Sequence, residues 1–503
     1  MTNERKNIGP KTKTPNATAT KETPMRRIFN LPCSPILSVT LVLAIAGSTL
    51  AGNWPQFRGT NGNGIGSGKT LPAEFGPEKN VAWKTNLPAG VSSPCIWDDR
   101  IFVTGYDDKT ETLGVFALDR NTGKVLWEVH PKAKNIEKVH QISSPASASP
   151  ATDGERVYVF FGSIGLICYD VAGKEQWRKE MGPFAYLFEW GAAASPVLDG
   201  DSVYQNCDHD GESFLISLDK RTGKVNWKTE RPLSTVSYAT PVIWNSSKGK
   251  RIAVSGSGRV TFYDPETGKE LAHVGGFPRI VNTTPVPYED RLYATGWTRG
   301  DSDRTIVQVL MTYRDENKDG KLSKSELSEG MHAKFDKGDA DGDGFLNEAE
   351  ASQAFIPEGN RTAGGSLMTA IKPGGTGDVT DTHVVWRSDR GVPYVPSPLL
   401  VNGRMYIVKD GGLASCLDAK TGEYLWEMER LGALGAYYTS PVFGDGKVYF
   451  ASEGGVVTVI SESAGLTKLA QNDMGETVMA TPAILDGRIY LRTASALYCF
   501  ATP

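Results

Sequence analysis

The chain has 503 residues, 39% of them hydrophobic and 22% charged, which excludes a wholly disordered protein and leaves ample material for a large core. A formal net charge of -4 with no long basic run excludes the electrostatic footprint of a nucleic-acid binder. Counts of 55 Gly, 29 Pro and 11 Trp combine turn formers with large packing residues, a mix that favours many short strands over long helices.

Residues 1–24 are polar, rich in Thr and Lys, and read as a tail, or as an upstream extension of a chain whose natural start is Met25. Residues 25–51 follow the order of an export signal: the basic MRRIFN, the apolar ILSVTLVLAIAG and the small-residue STLAG. The uncharged run Ser34 to Leu50 is broken by Pro35 and Gly47 and falls short of the roughly 20 apolar residues of a spanning helix. Cleavage after Ala51 is therefore expected, leaving a periplasmic or secreted protein with no stable membrane span. An uncleaved membrane anchor is the alternative. Cys33 precedes the apolar run, so it is not placed to carry a lipid after cleavage. Residues 52–79 form a leader whose NGNGIGSG lacks the G-K-[ST] of a phosphate loop and reads as flexible.

From Asn80 onward the chain repeats itself. Segments beginning at Ser93, Ser195 and Ser397 each run through a hydroxyl residue and Pro, an apolar strand, a tight turn and a strand with Tyr or Phe. A third strand ending in Leu-Asp, a Thr-Gly turn and a strand closing on Trp complete each copy. Four strands joined by hairpins make one propeller blade. Weaker copies start at Ser149, Thr240, Thr284, Ser440 and Thr481, giving about eight units at a spacing of roughly 41–56 residues. The copy at Thr481 has three strands. NVAWKTNL at Asn80 to Leu87 carries a closing Trp83 and is predicted to supply the fourth, so that Trp83 packs with that blade and no sheet edge stays open.

The pattern L-D-x-x-T-G-x-x-x-W, with Thr122-Gly123, Thr222-Gly223, Thr267-Gly268 and Thr421-Gly422 and with Trp127, Trp177, Trp227, Trp386 and Trp426, resembles the PQQ-type propeller repeat. That repeat is named for quinoprotein alcohol dehydrogenases and is shared by the lipoprotein of the outer-membrane β-barrel assembly machine. The resemblance implies an all-β fold, an eight-bladed β-propeller of four-stranded antiparallel blades, over residues 80–297 and 366–503. Two blades depart from the pattern: Leu271 replaces the closing Trp, and Ala464-Gly465 replaces Thr-Gly. Cys168, Cys416 and Cys499 occupy equivalent third-strand positions in separate blades, too far apart to bridge, and Cys95 and Cys207 are expected to be unbonded as well.

Residues 298–365 interrupt the fifth blade between its second and third strands. Asp315, Asn317, Asp319, Lys321 by its carbonyl, Ser323 and Glu326 stand at positions one, three, five, seven, nine and twelve of one loop. Asp339, Asp341, Asp343, Phe345 by its carbonyl, Asn347 and Glu350 repeat the set. Hard Ca²⁺ takes six to eight oxygens, and Gly320 and Gly344 supply the sharp turn, so the segment reads as a pair of calcium-binding EF-hands. Leu322 and Leu346 should pair across the loops. Ile306, Val309, Leu310, Tyr313, Leu327, Met331 and Phe335 should form a small apolar core, with one helix leaving the first loop and entering the second.

The quinoprotein resemblance also implies a possible PQQ site on the axis. Candidates in top-face loops are Glu189 and Trp190, Asp208, His209 and Asp210, and Arg390 and Tyr394. None has a spacing that specifies a reaction, and acidic residues in hairpin turns are ordinarily solvated turn formers. Blades this short leave little length for loops that enclose a cofactor. The favoured reading is a monomeric calcium-binding scaffold for an envelope protein or polymer, without a catalytic residue. A PQQ-dependent dehydrogenase is the alternative, and a carbohydrate- or polymer-binding module the third.

Overall fold

The computed structural model describes residues 52–299, 306–355 and 364–502. The expected tail and export signal lie outside this range. Among the described residues eight blades of four antiparallel strands follow one another in the chain, one of them extended by a fifth strand. Six are continuous in sequence, from Cys95–Val129 as blade one to Val442–Asp473 as blade seven, and blade five is split by the insertion between Arg291–Gly296 and Leu367–Ile371. The eighth joins Ala483–Leu485, Arg488–Arg492 and Ala496–Ala501 to Val81–Asn86, whose Trp83 pairs with Cys499 and lies 6.1 Å from the Tyr490 ring. The early strand thus closes the ring as its Trp predicted.

The repeat motif is a lock between neighbouring blades. In Leu-Asp-x-x-Thr-Gly the Asp119 carboxylate accepts the N–H groups of Asn121 and Thr122 and the Thr122 hydroxyl, which fixes the turn. Gly123 then takes φ 73°, and a Cβ there would stand 2.5 Å from the Trp83 ring of the preceding blade. The Trp83 indole N–H donates to the Arg120 carbonyl of the same turn at 3.0 Å. Trp127, Trp177, Trp227 and Trp386 repeat the bond to Val171, Lys220, Pro265 and Ala419.

Each departure from the motif has a structural counterpart. Trp426 faces the turn that carries Ala464-Gly465, and its indole N–H has no acceptor. Blade four, with Leu271 in place of Trp, instead gains a fifth strand: Gly377–Asp378 of blade five pairs in parallel with Ala272 and His273.

The innermost strands begin at the ring of hydroxyls. The N–H of Ser93 donates to Ser149 Oγ, Ser149 to Ser195, Ser195 to Thr240, Thr240 to Thr284, Thr284 to Ser397, Ser397 to Ser440 and Ser440 to Thr481, all at 2.9–3.2 Å. The hydroxyls therefore satisfy backbone donors that no strand reaches.

The leader, expected to be flexible, is packed. Trp54 exchanges backbone hydrogen bonds with Ile96 of blade one, the Pro55 carbonyl accepts Thr152 N–H of blade two, and Gly64 and Gly66 bond to Phe443 of blade seven. Arg58 is fully buried and donates to the Pro398 carbonyl of blade six at 2.6 Å. Trp54, Leu71 and Phe75 contribute enough apolar surface to anchor a Gly-rich segment that has little propensity of its own. Cys95, Cys168, Cys207, Cys416 and Cys499 are buried and unbonded, as expected.

Candidate functional site

Two groups of residues on the loop-bearing face merit attention, and the first is the helical insertion. Helices Ile306–Tyr313, His332–Gly338 and Glu348–Phe355 flank two acidic loops, and Leu322 pairs with Leu346 in the two-stranded sheet between them. The connection between the loops is broken into two 3-10 turns, Lys324–Glu326 and Glu329–Met331, before His332–Gly338, where one continuous helix was expected. Val309, Leu310, Leu327, Met331 and Phe335 are buried together as foreseen. Tyr313 is not: it is 58% exposed, with Val307 buried on the same helix.

The loops share one hydrogen-bond scheme. Asp315 accepts Gly320 N–H and Asp339 accepts Gly344 N–H, at 3.0 and 3.1 Å. Glu326 accepts the N–H groups of Glu316 and Ser323, as Glu350 accepts those of Ala340 and Asn347. Asn317 and Asp319 bridge to backbone ahead of them, as do Asp341 and Asp343. The Asp339, Asp341 and Asp343 carboxylates offer oxygens within 4.8 Å of one another, and Asp339 Oδ1 is sealed without a partner. Lys321 Nζ crosses from the first loop to Asp343 at 3.0 Å. A convergent set of carboxylate oxygens fits a hard divalent cation.

The second group lies where the loops of blades two, three and four meet, and here the expectation of solvated turn acids fails. Asp208 is completely buried and receives the Arg231 guanidinium through two bonds of 2.7 and 3.0 Å. His209 Nδ1 accepts the N–H of Gly211, and burial pushes its imidazole down to about 4. Asp210 Oδ2 accepts Leu187 N–H at 2.7 Å, and burial holds its carboxyl above the ordinary range. His209 thus braces its own loop, while Asp208 and Asp210 tie that loop to Arg231 and to the Leu187 segment.

Glu189 and Arg390 stay exposed, and Arg390 pairs with Glu427 at 2.8 Å. Trp190 lies 4.3 Å from the His140 ring. Tyr394 packs 4.8 Å from Trp297 at a small pocket of about 100 Å³ that Arg279 and Arg299 also line. The structure therefore brings Asp208, His209 and Asp210 together and leaves Arg390 apart.

Sequence reasoning missed Glu137, Tyr186 and Tyr238. Glu137 is partly exposed as a residue, but Gly162 lies so close that a Cβ there would come within 2.5 Å of both carboxylate oxygens. Burial pushes its carboxyl up to about 8, opposed only by the Ala192 N–H. Tyr186 stacks on Tyr238 at 6.3 Å. Burial, followed by the nearby Glu137 and Asp210 carboxyls, holds both phenols well above their ordinary values. Glu137 Oε1, Asp210 Oδ1 and the Tyr238 hydroxyl are buried without hydrogen-bond partners. Nothing in the KNIEKVH context of Glu137 marks it, since its seclusion depends on loops from two other blades.

An eight-bladed propeller locked by Trp-on-Gly contacts defines the class as the PQQ-repeat propellers. A family model described as outer membrane protein assembly factor BamB matches residues 76–186, 114–297 and 363–500, and the chain belongs to that family. Over 191 residues it is 27% identical to a polyvinylalcohol dehydrogenase of a Pseudomonas species, a match covering 33% of this chain and 28% of that protein's length. BamB from Moraxella catarrhalis superposes with a TM-score of 0.52 at 12% identity, over 84% of this chain and 100% of that one. The quinohemoprotein alcohol dehydrogenase of Comamonas testosteroni gives 0.54 at 12% identity, over 91% and 82%. A europium-containing methanol dehydrogenase gives 0.54 at 10% identity, over 90% and 98%. At these identities the structural likeness shows the fold.

Proposed function

We propose that the chain is an exported, monomeric, calcium-binding propeller that works as an interaction scaffold in the cell envelope. The observation that carries this reading is the use made of the polar top-face residues. Asp208, His209 and Asp210 are tied to Arg231, Gly211 and Leu187, so they hold loops in position, and the helical insertion is seated on those loops. A face stiffened in this way suits docking, where pre-organised loops lose less freedom on binding. Calcium would be held by Asp315, Asn317, Asp319, Ser323, Glu326 and the Lys321 carbonyl, and by Asp339, Asp341, Asp343, Asn347, Glu350 and the Phe345 carbonyl. An envelope location is supported by the signal-like segment 25–51 and by the outer-membrane family described above. Among the described residues no helix is long and apolar enough to cross a membrane. The pocket with Trp297, Tyr394 and Arg279 offers aromatic faces and positive charge to a protein or polymer partner.

A second reading, a PQQ-dependent dehydrogenase, is favoured by the buried acceptor oxygens of Glu137 and Asp210 beside Tyr238. Such oxygens fit a hard cation, and the quinone, when bound, would supply the oxidising chemistry. Titration calorimetry of the purified protein separates the two readings. The scaffold reading expects calcium heats and no heat from PQQ at high micromolar concentration in calcium-saturated buffer. Stoichiometric PQQ heat would replace it with the dehydrogenase.

A further inference from the structure

The insertion springs from blade five, yet it rests on loops of blades two and three. Arg314 donates to the Leu187 carbonyl at 2.8 Å, Lys334 Nζ donates to the Asp210 carbonyl at 3.2 Å, and Lys337 pairs with Glu212. Ala185 and Leu187 are buried in one apolar cluster with Leu310, Met331, Phe335 and Phe355, and the Phe188 ring meets Tyr313 at 5.6 Å. The two backbones touch: a Cβ on Gly211 would lie 2.1 Å from the Gly330 carbonyl oxygen, which leaves room for no other residue.

The other side of the same loop faces inward. Tyr186, between the two residues that pack on the insertion, stacks on Tyr238 near Glu137 and Asp210. Segment 184–190 is thus held between the helical insertion outside and, inside, the acids whose Glu137 Oε1 and Asp210 Oδ1 have no partner. Whatever loosens the outer contact removes the wall from the inner one.

We propose that the insertion is a calcium-held cover, latched by Arg314, Lys334 and Lys337, that controls access to a buried acid site formed by Glu137 and Asp210 with Tyr186 and Tyr238. The proposal rests on the calcium reading above. Calcium fixes the angle between the helices that carry the latch, since Glu326 and Glu350 would each bind it from the helical end of a loop. Without the ion, the short insertion keeps only its small apolar cluster, and the latch residues no longer share one rigid frame. The site behind the cover presents acceptor oxygens, so its ligand is a molecule rich in hydroxyl or amine donors.

Hydrogen–deuterium exchange of the full chain, with calcium and after its removal, tests this at segments 184–190 and 208–213. Labelling of Glu137 and Asp210 by a water-soluble carbodiimide gives a second readout. Removal of calcium should speed exchange there about tenfold or more, as expected of a local opening, and should admit the label. Calcium heats with unchanged exchange and labelling would overturn the cover and leave the calcium reading intact. Absence of calcium heats would instead remove the calcium reading. Lys337→Glu then decides the latch alone: facing Glu212 with like charge, it should speed exchange at 184–190, and unchanged exchange overturns the proposal.

Discussion

Asp208 and Arg231 are joined by a two-pronged ion pair with both side chains shut off from water, and Arg231 also donates to the Tyr263 hydroxyl of the next blade. The pair closes the loop end of blade three, and the bond to Tyr263 ties it to blade four. Breaking one side strands the other charge in the interior. Asp208→Ala should therefore cost about 3–5 kcal/mol, read as a shift in the denaturant midpoint, whereas an exposed pair such as Arg390 with Glu427 should cost about 1 kcal/mol or less. Equal, small effects would mean that water reaches Asp208.

The indole bonds give a comparison internal to the molecule. Trp386 donates to the Ala419 carbonyl at 3.1 Å, while Trp426, one blade on, has no acceptor. Phe in place of either removes similar apolar area, but only Trp386→Phe removes a hydrogen bond, leaving the Ala419 carbonyl with the Tyr293 hydroxyl alone. Trp386→Phe should be the more destabilising by about 1 kcal/mol in chemical denaturation. The reverse order would show that blade seven supplies an acceptor after all.

Glu137 predicts an unusual pH dependence. Its carboxyl is raised to about 8 by burial. Between the ordinary carboxylate value and about pH 8 the folded state holds a proton that the unfolded state has lost, so this group's contribution to stability falls as pH rises through that window. Glu137→Gln should flatten the fall and be relatively more stable above pH 8, measured by melting temperature against pH. An unchanged profile would place the carboxyl in solvent.

Calcium should appear as a ligand-linked gain in stability. At calcium a hundredfold above Kd, each site adds about 2.7 kcal/mol to any state that binds the ion and unfolds without it. Glu350→Gln, which removes an oxygen from the second loop, should abolish one of two calcium equivalents in titration and lower the calcium-dependent gain in melting temperature. Two equivalents retained in the variant would show that Glu350 is not a ligand.

Much of the architecture is local and was legible. Each Leu-Asp-x-x-Thr-Gly-x-x-x-Trp sets its own turn and presents its own Trp, so counting copies counts blades, and Trp83 identified the closing strand because it makes the same lock as Trp127, Trp177, Trp227 and Trp386. The acidic loops were legible for the same reason: their scheme of Asp and Glu oxygens accepting nearby N–H groups is completed within twelve residues. What the tertiary structure decided depends on which loops meet. The leader is packed because Trp54 and Arg58 find partners in distant blades. Asp208 is interior because Arg231 from the end of blade three and Gly256 of blade four close over it, and Asp210 because its loop meets the Leu187 segment and Lys334 of the insertion. Glu137 is set apart only by Gly162 and the loop before Ser195. A burial produced by segments far apart in the chain leaves no pattern in any one of them, and that is why the blades could be read from the amino acids and the buried acids between them could not.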